Sequence, residues 1–178
     1  MRVQTIIRHG LGFLFGFSVF LVGIPSALYL ISSNLDRYVS ITLISDERTR
    51  VAISSLIGIV GLAFIVWSNA HLLLVGKGGP ADGFGVAISP RSQHLVTSGP
   101  YRHTRNPMVF GAQSLYLAVA IFLNSAICVA VVASFVVLSL IYLKLVEEKR
   151  LVRDFGAAYE QYRSEVPMLV PFRLGKRK

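Results

Sequence analysis

The chain has 178 residues, 53% of them hydrophobic, with 18 lysines and arginines set against 9 aspartates and glutamates. This balance excludes a disordered or collagen-like chain. The apolar residues gather in long uncharged runs, and about 20 such residues in a helix cross a hydrocarbon core roughly 30 Å thick, so the sequence predicts an all-α polytopic membrane protein.

The first run, from about Gly10 to Ser32, and the second, from about Val51 to Gly76, contain no Asp, Glu, Lys or Arg and are each long enough to span. Arg2 and Arg8 give the first a basic front like that of a signal peptide, but its apolar core exceeds the roughly 7–15 residues of a signal h-region. A third run, Met108 to Leu123, and a fourth, Ala126 to Val146, are separated only by Asn124 and Ser125, a spacing that predicts a tight helical hairpin. About four transmembrane helices result. Beyond them Leu151, Phe155, Ala158 and Tyr162 fall on one stripe of an amphipathic C-terminal helix, with Lys149, Arg150 and Arg153 off the stripe.

Charge sets the expected orientation. Arg2 and Arg8, then Lys77, Arg91, Arg102 and Arg105, then the basic tail fall on one side of a four-span bundle. On the other side Arg37, Arg48 and Arg50 are balanced by Asp36, Asp46 and Glu47. The positive-inside rule therefore places both termini in the cytoplasm, in an inner or plasma membrane if the cell is bacterial. Contact with anionic membrane lipid accounts for the basic excess, and no nucleic acid is needed, since no basic stripe interleaved with exposed aromatics is present. The one cysteine, Cys128, lies inside the fourth run and reads as packing, so neither a disulfide framework nor a cysteine metal site is expected.

Polar residues concentrate in two places. GKGGPADGFG, from Gly76 to Gly85, lacks the strand and helix that a phosphate-binding loop requires and reads as a connection. Ser89, Pro90 and Arg91 then lead into LVTSGPYRHTRNPMVFG, where Gly99 and Pro100 signal a turn, Asn106 is placed to cap a helix, and Pro107 takes its first position. A helix start at the membrane interface offers free N–H groups and a positive dipole end to a carboxylate. A capped start with snorkelling arginines accounts for the same residues without a ligand. The second place is Glu147 and Glu148, at the end of the fourth run, where charge beside hydrocarbon calls for a partner. Pairing of Lys144 with Glu148 is the local alternative, but the hairpin also brings the acids near Asn106 and Pro107. His71, His94 and His103 read as interfacial or loop residues, and no residue is assigned as a catalytic base.

The order LVTSGPYRHTRNPM, helical hairpin, EEKRLVRDFGAAYEQYRSEVPMLVPF resembles the isoprenylcysteine carboxyl methyltransferases and their wider group of integral-membrane methyltransferases, which includes phospholipid methyltransferases. The likeness runs from about Val86 to Phe172. It implies a cofactor-binding half at 86–178 and an N-terminal scaffold at 1–85 within one membrane domain. It implies S-adenosylmethionine in a cytoplasm-facing pocket, with His94, Leu95, Val96 and Tyr101 along the adenosine. Arg105, Asn106, Pro107, Met108 and Val109 would form a wall at the start of the third helix, and Glu147 and Glu148 would hold polar groups. The methyl acceptor is then a lipid-like or hydrophobic molecule entering from the bilayer. Two departures stand out: Asn106 where the family often has His, and Leu143 where its carboxyl methyltransferases place a substrate-binding arginine one turn before the acidic pair. Lys144, turned about 100° from that position, is an imperfect replacement. The rival readings are a membrane sterol-type reductase using NADPH and a non-catalytic subunit whose basic tail binds anionic lipid or a partner.

Overall fold

A long apolar run in a bilayer must satisfy its own backbone groups, and the helix is how a single segment does so. A computed structural model describes residues 10, 14, 16–39, 41–76, 82–83, 86–87 and 94–171. The expectations placed on Arg2, Arg8, Lys77, Ser89, Pro90, Arg91 and the tail 172–178 lie outside the described residues.

A π-helical segment, Phe17–Gly23, runs into α1, Ile24–Leu35. The second helix, α2, is Glu47–Leu74, and it starts four residues before the apolar run because the Asp46 carboxylate accepts the Thr49 N–H at 2.7 Å. The expected hairpin is formed by α3, Pro107–Phe122, and α4, Ala126–Tyr142. At its tip Asn124 takes φ 56°, and its side-chain oxygen accepts the N–H groups of Leu43 and Ile44, both at 3.0 Å. Next to it Ser125 accepts the Cys128 N–H at 3.0 Å and donates to Asp36 at 2.7 Å. The hairpin tip and the loop between α1 and α2 are thus tied together at one end of the bundle.

Three helical segments are long and apolar enough to cross a membrane: Phe17–Tyr38, Glu47–Leu74 and Ala126–Phe155. The fourth, α3, has 16 residues, about 24 Å at 1.5 Å per residue. It is the central helix, burying Pro107, Gly111, Gln113, Tyr116, Ala118 and Ala120. Tyr116 and Ala120 pack with Leu28, Cys128 and Val132, so Cys128 is the packing residue expected. Leu56, Ile59 and Val66 on α2 are exposed and form a face suited to lipid. Helices α2 and α3 cross where Gly61 meets Gly111, and a Cβ on either glycine would lie 2.7 Å from the other's carbonyl oxygen. Small residues at the crossing let the two backbones approach.

After α4 the helix passes through a π-helical segment, Leu143–Glu147, into α5, Glu148–Phe155. Gly156, with φ 54° and ψ −134°, then breaks the chain before α6, Ala157–Glu165. The single amphipathic helix expected from the sequence is therefore two helices, and the break moves the inward face by one residue. Ala158 is exposed, while Tyr159 and Tyr162 are buried. The only strands among the described residues are two of two residues each, in which Asp82 pairs with Ala87 and Gly83 with Val86.

Candidate functional site

The start of α3 is fixed from outside the helix. The Asn106 carbonyl accepts the Phe110 N–H at 3.0 Å, so Asn106 holds the expected cap position. Its side chain does not cap; it turns away and donates to the Met168 carbonyl at 2.9 Å. The same carbonyl accepts the Thr104 hydroxyl at 3.1 Å, the Pro167 carbonyl accepts the Arg105 N–H at 2.9 Å, and the Tyr162 hydroxyl donates to the Tyr101 carbonyl at 2.6 Å. The chain after α6 is thereby stitched to the turn that precedes α3. With Asn106 engaged elsewhere, the first-turn N–H groups of Met108 and Val109 receive no side-chain cap.

On the facing wall the two adjacent acids separate. The π-helical segment, a feature common at functional sites, resets the direction of the side chains that follow it. Glu147 pairs with Arg150, and both face the same cavity as Asn106. Glu148 is buried and does not line that cavity. Its carboxylate meets Arg105 Nη1 at 2.5 Å and Arg163 Nη1 at 3.8 Å, while Lys144 is exposed. The local Lys144 pairing is therefore not what holds Glu148. Both side chains of the Arg105–Glu148 pair are about nine-tenths buried, and removing one partner of such a pair costs roughly 3–5 kcal/mol.

The cavity between these walls has a volume of about 190 Å³. His94, Leu95, Val96 and Tyr101 line one side, and Arg105, Asn106, Pro107, Met108 and Val109 a second. Leu72 of α2 contributes, and Glu147, Arg150, Leu151, Phe155, Tyr159 and Tyr162 complete the lining. Every residue that the resemblance assigns to the cofactor is there except Glu148. The sequence placed Leu151, Phe155 and Tyr162 on a helix stripe without assigning them to the site, and it gave no place there to Leu72, Arg150 or Tyr159. Arg150, three residues after Glu147 on a helix, was the one with a readable signal. The Tyr159 signal was hidden by the helix break, and nothing distinguishes Leu72 within its apolar run.

Burial shapes the polar character of the site. It raises the Tyr101 and Tyr162 hydroxyls well above the ordinary tyrosine range. Burial also raises Tyr159, against a smaller lowering by Arg105, whose Nη1 lies 3.5 Å from the Tyr159 oxygen. All three phenols are neutral at physiological pH; the Tyr162 hydroxyl donates to the Tyr101 carbonyl, and that of Tyr159 accepts from Arg105. Behind the site His71 Nε2 lies 3.0 Å from Ser98 Oγ, and its ring would sit 2.6 Å from a Cβ at Gly99, where φ is 60°. His71 is a packing residue of the turn.

Residues 81–158 match the family model of phospholipid methyltransferases. The match starts before the first cavity wall and ends within α6, so it takes in the hairpin and both acids. It agrees with the resemblance read from the sequence and supports a membrane methyltransferase. Among curated proteins and among solved structures, none matches this chain.

Proposed function

We propose that this integral membrane protein transfers a methyl group from S-adenosylmethionine to a lipid-like or hydrophobic acceptor that reaches the site from the bilayer. The observation that carries this reading is the meeting of the uncapped start of α3 with Glu147 around one cavity, both within the segment matched to phospholipid methyltransferases. On the positive-inside rule the cavity and both termini face the cytoplasm. Residues 86–178 form the cofactor-binding half, and 1–85 form a scaffold to which Leu72 adds one wall residue.

The donor set fits the cofactor. Glu147 offers a carboxylate to an ammonium group or to ribose hydroxyls, and the surrounding apolar residues strengthen that attraction. Met108 and Val109 offer free backbone N–H groups at a helix N-terminus. Val96, Leu151 and Phe155 supply apolar surface for a flat ring and keep water away. When bound, S-adenosylmethionine supplies an electrophilic methyl group on a sulfonium. The protein's contribution is alignment, which in well-oriented reactions lowers a barrier by about 7–11 kcal/mol. Leu143 is buried and Lys144 exposed, so the position to which the resemblance gives a substrate-binding arginine carries an apolar side chain instead. This favours a phospholipid-like acceptor over a prenylcysteine.

Calorimetry in detergent with S-adenosylhomocysteine and with NADPH tests the reading, followed by mass spectrometry after incubation with isotope-labelled donor and total membrane lipid. Binding of S-adenosylhomocysteine together with a labelled lipid supports it. Binding of NADPH alone would replace it with a reductase, and no binding of either with a non-catalytic subunit.

A further inference from the structure

Resting on the methyltransferase reading, we infer that Arg105 is the anion-recognising group of the cavity and that Glu148 is a positioning residue that aims it, not a ligand of the cofactor. Arg105 lines the cavity with a side chain about nine-tenths buried. Its Nη1 is held by Glu148 at 2.5 Å and lies 3.5 Å from the Tyr159 hydroxyl oxygen. Its Nε is sealed from solvent without a partner. Its Nη2 makes no hydrogen bond to any described residue and is not enclosed.

A guanidinium carries five N–H donors in a rigid fork. Here one arm is anchored from behind, which leaves the other arm for a ligand. The anchor also fixes direction: Glu148 touches Arg105 and Arg163 and does not line the cavity. Glu147, one residue earlier, faces the cavity together with its partner Arg150, and its carboxylate can be shared with a ligand cation. The two acids thus have different duties, and an amino-acid zwitterion finds its ammonium partner at Glu147 and its carboxylate partner at Arg105. The ligand class is a carboxylate, supplied by the amino-acid end of the methyl donor.

The test compares two probes by calorimetry in detergent: S-adenosylhomocysteine, and its decarboxylated analogue, which keeps the amine and lacks the carboxylate. Arg105→Lys and Glu148→Gln should weaken S-adenosylhomocysteine by roughly 10- to 100-fold, the range for a hydrogen bond to a charged group. Both should bind the analogue as the wild type does. A purely structural role would weaken both probes together, and that result, or no change in either, would overturn the assignment while leaving the methyltransferase reading intact. A wild type that binds neither probe would overturn both. If Glu148→Gln does not fold, Arg105→Lys, which keeps its charge against Glu148, gives the same comparison.

Discussion

Helix α2 carries two glycines one turn apart whose surroundings differ, and they make a matched pair of perturbations. A Cβ added at Gly61 would lie 2.7 Å from the Gly111 carbonyl oxygen and 2.8 Å from the Leu115 nitrogen, both backbone atoms of α3. Neither can rotate away, so the helices must part by several tenths of an ångström. A gap of that size forfeits roughly a quarter of the dispersion energy along the seam, and overpacking of this kind costs about 1–3 kcal/mol. At Gly58 the nearest atom to an added Cβ is the Ala118 Cβ at 3.5 Å, an ordinary contact. There alanine brings only the gain in helix propensity, up to about 1 kcal/mol. Thermal unfolding in detergent should therefore rank Gly58→Ala at or above wild type and Gly61→Ala clearly below it. The loss should reach the cavity as well, because Val109 on the cavity wall is two residues from Gly111. Equal melting temperatures for the two variants would refute the claim that backbone contact at this crossing positions α3.

Glu147→Gln should weaken S-adenosylhomocysteine by about tenfold with a smaller loss of melting temperature than Glu148→Gln, since its pair with Arg150 is one-fifth exposed and that of Glu148 with Arg105 only one-tenth. Calorimetry and a melting curve on one preparation check both halves. Gly156→Ala meets no atom within 4 Å, so its whole cost is the backbone conformation, about 1–3 kcal/mol, read from the melting temperature. Alkaline pH should destabilise the fold. Tyrosines in the unfolded chain titrate near pH 10, while burial raises Tyr101, Tyr159 and Tyr162 in the native state. Their stabilising contribution is thus complete below about pH 10 and is lost as pH rises above it. Denaturation curves at stepped alkaline pH should show the fall, and Tyr162→Phe should make it shallower; an unchanged slope would contradict the assignment.

The helices were legible because their signal is one-dimensional. Uncharged runs gave the spans, and Asn124 with Ser125 gave the hairpin from local sequence alone. The convergence of Asn106 with Glu147 was legible too, since a hairpin of two helices fixes which ends meet. What was not legible depends on backbone departures of a single residue. The π-helical segment Leu143–Glu147 has no composition signal, yet it sends Glu147 to the cavity and Glu148 behind the wall. Gly156 was visible as a glycine, but its positive φ, and so the exchange of Ala158 for Tyr159 on the inward face, was not. The Asn106 side chain was misread for a related reason: the local rule offered it the helix start, and the Met168 carbonyl, 62 residues away, took it.

The length of α3 bears on how an acceptor reaches the site. Its hairpin end is tied to the α1–α2 loop through Asn124 and Ser125, and the charged Asp36 and Asp46 at that loop call for the polar side of a hydrocarbon boundary. From there 16 residues rise about 24 Å, several ångströms short of a core roughly 30 Å thick. On that placement the helix start at Pro107, and the cavity beside it, are expected below the opposite boundary, at a depth a lipid headgroup reaches without leaving the membrane. In vesicles, a fluorophore placed through Met108→Cys should be quenched more strongly by lipids brominated high on the acyl chain than by an aqueous quencher. The reverse order would put the site in water, and an acceptor would then have to leave the bilayer to be methylated.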